Sequence, residues 1–140
     1  MVAIMDKYRC ITNNPLVASR ADLHPEYTDI DVLQLFMQIE RDIRNGYRLL
    51  SHPLSSSIRP DISPYKTVLL STSPSDRIDE LSVSLIREAI RYTASLYLLR
   101  DKPLSNGWDK NTKADFAEVD LSMIDQALDV AGMAAEKERN

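Results

Sequence analysis

The sequence contains a single cysteine, Cys10, so no disulfide bond can form within the chain. Its three glycines leave little material for a glycine-rich phosphate loop, and neither a Walker sequence nor a G-x-G-x-x-G motif is present. There is no C-x-x-C pair, and no apolar run approaches the ~20 residues that a membrane-spanning helix needs. These absences argue against a disulfide scaffold, a P-loop or dinucleotide site, a dithiol redox centre and a membrane protein.

The charge balance also lacks an excess of basic residues. Seventeen lysines and arginines face 21 acidic residues, and the formal net charge is -4. This disfavours nonspecific binding to nucleic acid, so we expect neither a nucleic-acid partner nor a membrane partner. Residues 1–5 are too short, and too soon followed by charge, for a signal peptide. Together with the lone cysteine, this favours a cytoplasmic location.

The pattern of strand-like and helical segments predicts the fold. The chain has 140 residues, 44% hydrophobic, which suits one domain with a core of its own. Strands are predicted at Lys7–Thr12, Glu26–Ile30, Tyr47–Ser51 and Tyr65–Ser71, and helices at Leu16–Asp22, Asp31–Asn45 and Asp79–Leu99. This order predicts an α/β fold: a small three-layer domain with a mostly parallel sheet of about four strands and helices on both faces. The irregular loop His52–Ser63 leaves the direction of the fourth strand open.

The clearest helix is Asp31–Asn45. Apolar residues recur there at the i, i+3, i+4 and i+7 positions that form one helical face. Asp31 and Gln34 have the spacing of a capping box, and Asn45-Gly46 supplies a C-terminal stop. In the same way, Asn14 before Pro15 has the pattern of an N-cap followed by proline at the first helical position.

The C-terminal part differs from the rest of the chain. A polar linker at Pro103–Lys113 is followed by a predicted helix at Asp120–Glu138 with a narrow apolar stripe. We therefore divide the chain into an α/β domain at 1–102, a linker at 103–113 and a helical tail at 114–140. The stripe suits either docking on the domain or pairing with a second copy in a homodimer. Trp108 in the linker is more typical of packing the tail onto the body than of binding a ligand.

Polar residues follow the predicted strands where each one ends. Ligands of open parallel sheets bind beyond the carboxyl ends of the strands. Three such clusters stand here, after the first strand, after the third strand, and at Ser71–Ser73. If all three strands point the same way, the clusters meet at one edge, where amides, hydroxyls and cations suit a small anion. The expected ligand-binding residues are Asn13, Asn14, His52, Ser55, Ser56, Ser57, Arg59 and Lys66.

Structural interpretations of these residues remain open. Asn14 can serve as a cap alone, the serines can serve solubility, and His52 can bond the loop backbone. No G-x-S-x-G elbow accompanies the serines, and the spacing of His24, His52 and Cys10 matches no zinc pattern. We therefore expect no metal and no cofactor. Cys10 lies within a predicted strand, where cysteine is usually a buried small hydrophobe.

Two segments resemble the GrdX family. They are Ile11–Val17 (ITNNPLV) and Leu50–Pro60 (LSHPLSSSIRP), the latter continuing through Ser63–Leu70 (SPYKTVLL). The likeness covers roughly residues 6–98, and the tail beyond Lys102 does not look part of it. Members of that family are encoded with the selenium-dependent glycine, sarcosine and betaine reductases of amino-acid-fermenting anaerobes. The resemblance therefore implies a role in that system without assigning a catalytic activity.

Two classes of function follow. The first is a noncatalytic accessory or ligand-binding protein of the glycine reductase system, which binds a small anionic metabolite or a reductase subunit. The second is a small enzyme acting on a carboxylate or phosphate metabolite, with His52 as the acid/base group. An acid/base residue needs a partner that orients it, and no carboxylate lies near His52 in the sequence.

Overall fold

The computed structural model of the protein describes residues 7–56 and 58–132. Within these residues the chain forms three strands and four α-helices, in the order β1 (Arg9–Thr12), α1 (Pro15–Ala18), β2 (Pro25–Tyr27), α2 (Val32–Arg44), β3 (Thr67–Leu70), α3 (Glu80–Leu98) and α4 (Lys110–Val130). No helix among them is long and apolar enough to cross a bilayer.

The sheet is mixed, with the strand order β2-β1-β3. Strand β1 pairs in parallel with β2 and antiparallel with β3, and Thr12 lies opposite both Tyr27 and Thr67. The expected mixture of strands and helices is confirmed. The expectation of about four strands, mostly parallel, is not, because the described residues contain one parallel pair and one antiparallel pair. The antiparallel pair becomes feasible because the connection before β3 is an irregular loop rather than a crossover helix.

The predicted third strand, Tyr47–Ser51, is reduced to one isolated bridge. Leu49 pairs antiparallel with Leu70, at the edge of β3. Leu50 N–H donates to the Leu69 carbonyl and Ser71 N–H donates to the Arg48 carbonyl. The reciprocal bonds go to side chains, because Arg48 N–H donates to Ser71 Oγ (3.0 Å) and Leu69 N–H to Ser51 Oγ (2.9 Å), so the regular ladder is not completed. Because β3 runs antiparallel to β1, this segment nevertheless runs in the same direction as β1.

Helices cover both faces of the sheet, as the alternation of side chains along a strand requires. On one face, α2 and α3 pack against Ile11 and Val68. On the other face, Cys10 and Leu69 contact a second core cluster that includes Val17 of α1 and residues of α4. The molecule therefore has a helical layer, the sheet, and a second helical layer.

Local signals set the start of α2 and α1. The Asp31 carboxylate accepts from Gln34 N–H (2.8 Å), and the Gln34 side-chain oxygen accepts from Asp31 N–H (3.1 Å), which confirms the capping box. The Asn14 side-chain oxygen accepts from Leu16 N–H (2.9 Å), which confirms the predicted N-cap. Helix α1 is shorter than expected and ends at Ala18.

Helix α4 begins earlier than the sequence pattern suggested, at Lys110 rather than Asp120. The Asp109 carboxylate accepts from Thr112 N–H (2.8 Å), so the supposed linker contains the helix cap. The Trp108 indole N–H donates to the Ile62 carbonyl (2.6 Å) and ties this start to the body of the protein. The last part of the predicted helix, residues 133–138, lies outside the described residues.

Gly46 provides a sensitive test of the turn that follows α2. Its φ is +105°, in the left-handed region that favours glycine. A Cβ atom there would collide with the Ser75 backbone oxygen and lie 3.2 Å from Pro74 Cβ. We expect Gly46→Ala to lower the free energy of unfolding by about 3 kcal/mol, measured by urea denaturation, because backbone strain and steric clash add together.

Two other glycines separate these contributions. Gly132 has a φ of +72°, but an added Cβ atom would meet nothing within 4 Å, so Gly132→Ala reports conformational strain alone. Gly107 has neither a positive φ nor a neighbour within 4 Å of such an atom, so Gly107→Ala should be nearly neutral. A loss in Gly46→Ala no larger than that in Gly132→Ala would contradict the steric argument.

Candidate functional site

The edge of the sheet where β1 ends carries most of the predicted polar residues. Thr12, the last residue of β1, pairs with Thr67, the first residue of β3. Residues that follow β1 and residues that precede β3 therefore share this edge. Ser71–Ser73 follow β3 and lie at the opposite edge. The expectation that all three polar clusters meet is therefore wrong, because β3 runs antiparallel to β1.

Asn13 holds three backbone segments together. Its side-chain nitrogen donates to the carbonyls of Ile30 and Pro64, both at 2.9 Å, and its side-chain oxygen accepts from Lys66 N–H at 2.8 Å. The residue is buried, and these bonds use the amide's hydrogens and one oxygen lone pair. The hydrogen bonds of Asn13 therefore join the end of β1 to the segments that precede α2 and β3.

Asn14 makes a similar link to helix α4. While its oxygen caps α1, its side-chain nitrogen donates to the Ala117 carbonyl and to Asp120 Oδ2, each at 2.9 Å. The residue is fully buried. Both asparagines are thus committed to protein contacts, and Asn14 reaches the site through the carboxylate that it holds.

A cavity of about 140 Å³ lies between α4 and the loop that joins the Tyr47–Ser51 segment to β3. Four of the predicted site residues line it: His52, Ser55, Ser56 and Lys66. Further polar lining comes from Ser51, Ser63, Tyr65, Thr67 and Asp120, and apolar lining from Leu50, Ile58, Val119, Met123, Ile124 and Ala127. The predicted site residue Ser57 lies outside the described residues.

The Lys66 ammonium is the cation of this cavity. The residue is only 6% exposed, and within residues 7–56 and 58–132 its ammonium forms neither an ion pair within 4.0 Å nor a hydrogen bond. Burial lowers the pKa of Lys66, and the nearby Asp120 carboxylate opposes that shift. A buried cation that forms no direct ion pair or hydrogen bond favours the approach of an anion.

Asp120 supplies the opposite charge. Its Oδ2 atom accepts from the Asn14 amide and from the Thr67 hydroxyl (2.7 Å). Burial raises the pKa of Asp120, whereas these two hydrogen bonds and the charge of Lys66 lower it. Sequence reasoning missed this residue. The available signal was its position on the apolar stripe of α4, four residues before Ile124, where a charged side chain must face the protein interior.

A directed chain of hydrogen bonds ends on this carboxylate. The Asn14 backbone N–H donates to Thr12 Oγ1 (3.0 Å), and the hydroxyls of Thr12 and Thr67 lie 2.8 Å apart. Because Thr67 donates to Asp120, it must accept from Thr12. The chain fixes the orientation of the carboxylate, and the Thr67 backbone N–H also stabilises its charged form.

His52 and Arg59 are placed differently. The Nδ1 atom of His52 accepts from Leu54 N–H (3.0 Å), so this ring nitrogen orders the loop, and the residue is exposed where it lines the cavity. Arg59 does not line the cavity. Its guanidinium donates twice to the buried carboxylate of Asp61 (3.0 and 2.9 Å), which stabilises the loop from its other side.

The described residues offer little for metal or thiol chemistry. No group of three or more histidine, cysteine, aspartate or glutamate side chains within residues 7–56 and 58–132 lies close enough together to hold a metal ion. Cys10 is fully buried, and burial raises the pKa of its thiol to about 12, so the protonated form prevails at neutral pH.

Fold and site together define a small mixed α/β protein with a charged cavity between a loop and its C-terminal helix. The chain matches the sequence profile of the family described as GrdX-like protein over residues 9–129, and it belongs to that family. The match includes most of α4, so the expectation that the family core stops before the C-terminal helix is wrong. Neither the curated proteins nor the solved structures contain a match to this chain.

Proposed function

We propose that this GrdX-like protein is a noncatalytic accessory protein of the selenium-dependent glycine reductase system, and that it binds a small anionic metabolite in the cavity at Lys66. The name of the family and the double motif at Ile11–Val17 and Leu50–Pro60 support the association with that system. A cytoplasmic location is part of this proposal. The single observation that carries the binding function is the buried lysine Lys66 in the wall of this cavity, whose ammonium forms no ion pair within 4.0 Å with any of the described residues.

The size of the cavity supports a small ligand. Its 140 Å³ has room for roughly ten water-sized groups and falls below the ~300–1,000 Å³ of pockets for drug-sized molecules. Ser55, Ser56 and Ser63 line the same space as Lys66. The hydroxyls of Ser56 and Ser63 donate to the carbonyls of Ile58 and Tyr65, so Ser55 is the one of the three whose hydroxyl can donate to a ligand. A hydroxyl donor beside an ammonium is a chemistry suited to carboxylate or phosphate oxygens.

The binding proposal is tested by calorimetry and thermal shift with acetate, phosphate, acetyl phosphate, glycine, sarcosine and betaine. A ligand at 100 times its Kd should stabilise the protein by about 2.7 kcal/mol. In Lys66→Met the apolar stem keeps its packing while the charge is lost, so we expect binding to fall at least tenfold. Lys102→Met changes an exposed lysine outside the cavity and should leave binding unchanged.

Three outcomes separate this proposal from its alternatives. Equal affinity in Lys66→Met would show that the cavity is not the site. Turnover of a ligand, abolished in His52→Ala, would favour the enzyme alternative with His52 as the acid/base group, because His52 lines the same cavity. Failure of every small molecule, with capture of a purified reductase subunit, would favour a protein partner.

A further inference from the structure

Two side chains of opposite charge line the cavity without forming a direct ion pair. Lys66 and Asp120 both line it and interact electrostatically, but they form no ion pair within 4.0 Å. Asp120 Oδ2 accepts from the Asn14 amide and the Thr67 hydroxyl, and neither bond neutralises the charge of the carboxylate. A cation and a carboxylate that are not directly paired therefore both line a cavity of small size.

From this arrangement, and resting on the proposed binding function, we infer that the preferred ligand is a zwitterion: a small amino acid whose carboxylate contacts Lys66 and whose ammonium contacts Asp120. A simple anion would pair with Lys66 but would bring a second negative charge near Asp120. A simple cation would meet the converse repulsion from Lys66. Only a molecule carrying both charges satisfies both groups at once.

Hydrogen bonds hold the Asp120 carboxylate in one orientation before a ligand binds. The hydrogen-bond chain from the Asn14 backbone through Thr12 and Thr67 fixes Oδ2, so Asp120 does not have to reorganise when a ligand arrives. The same donors favour the charged form of the carboxylate. The Lys66 ammonium and the Asp120 carboxylate lie more than 4.0 Å apart, so they do not form a direct ion pair.

The remaining walls limit the side chain of the ligand. Apolar groups from Leu50 and Ile58 on the loop and from Met123 and Ala127 on α4 complete the cavity. Serine hydroxyls on the loop line the rest of the cavity. With a volume of about 140 Å³, the cavity suits an amino acid with no side chain or a short uncharged one.

A charge series on the wild-type protein tests this inference without any substitution. Acetate carries only the negative charge, ethylamine only the positive charge, and glycine and alanine carry both. We expect calorimetry at pH 7 to give glycine or alanine an affinity at least tenfold higher than that of acetate, with ethylamine weaker still. If acetate binds as tightly as glycine, the zwitterion inference is wrong while the proposed anion binding stands. If none of the four binds but phosphate or acetyl phosphate does, the zwitterion inference is wrong while the proposed anion binding stands; if none of these molecules binds, both are wrong.

A pair of isosteric variants then assigns the preference to one residue. Asp120→Asn removes the negative charge and keeps the shape, so the preference for glycine over acetate should fall to about twofold or less. Asp115→Asn, an exposed position on the same helix, should retain the full preference. Near-UV circular dichroism checks that each variant is folded. A folded Asp120→Asn protein with an unchanged preference would overturn the assignment of the ammonium to Asp120.

Discussion

A chain that ends at residue 102 is expected not to reach the native state. Helix α4 contributes Ala117, Ile124 and Leu128 to the buried core, and they cover the face of the sheet formed by Cys10 and Leu69. Large-to-small changes at one buried leucine typically cost about 2–5 kcal/mol, and whole domains are stable by about 5–15 kcal/mol. Losing the entire helix should therefore remove most or all of that stability.

The shortened chain should also lose stability because hydrogen bonds and an ion pair made by α4 are absent from it. Without α4, the Asn14 side-chain nitrogen loses both of its acceptors, and Thr67 loses the carboxylate to which it donates. Arg20 also loses its ion pair with Asp125 (3.1 Å). These groups would have to be satisfied by water on a newly exposed sheet face.

The measurement is near-UV circular dichroism and urea unfolding of residues 1–102 beside the full chain. Two point variants calibrate it: Leu128→Ala should lose about 2–5 kcal/mol and remain folded, while Val130→Ala, which is 90% exposed, should change stability by about 0.5 kcal/mol or less. Cooperative unfolding of the shortened chain would instead support the division into a 1–102 domain, a linker and a tail that the sequence suggested.

Replacing Asn13 with alanine is expected to lower the free energy of unfolding by about 3–5 kcal/mol. The substitution leaves Lys66 N–H and the carbonyls of Ile30 and Pro64 without the partner that now joins them. Leaving one buried polar group without its hydrogen-bond partner lowers the free energy of unfolding by about 1–3 kcal/mol. The substitution affects three such groups, and we expect each to recover part of this loss by bonding to water. The loss should also loosen the edge that holds Lys66.

Denaturant unfolding measures this loss, with Asn111→Ala as the matched control at an exposed position. Asn13→Asp is the sharper variant. It keeps an acceptor for Lys66 N–H but sets a carboxylate against two carbonyl oxygens, so it should destabilise at least as much as alanine. If Asn13→Ala lowers the free energy of unfolding by less than about 1 kcal/mol, the structural role of the Asn13 hydrogen bonds is contradicted, and Asn13 becomes a candidate ligand contact again.

The position of His52 in the candidate site could be predicted from the order of strands and helices along the chain. The segment before His52 runs parallel to β1, so the expectation that His52 lies beyond the same sheet edge as Asn14 agrees with the fold. Lys66 belongs to this edge for a different reason, since it precedes an antiparallel strand rather than following a parallel one. The prediction for Arg59 depended on the course of the loop, where its bond to Asp61 turns it elsewhere.

The sequence by itself determined the local elements. The apolar period of α2, its capping box at Asp31 and the Asn14 cap all depend on residues only a few positions apart, which meet as soon as a helix forms. The burial of Cys10 likewise follows from an apolar strand. Such features are readable because chain connectivity alone brings the interacting groups together.

Only the tertiary structure decided the direction of β3, the pairing of Tyr47–Ser51 and the position of Asp120 near Lys66. Strand direction here depended on an irregular loop without periodicity, and the third strand was not completed because the hydroxyls of Ser51 and Ser71 replace backbone carbonyls as acceptors across the pair. Asp120 reaches Asn14 across 106 positions of sequence. Contacts at that separation form only when helix and sheet pack, because their energy comes from burial that no local pattern contains.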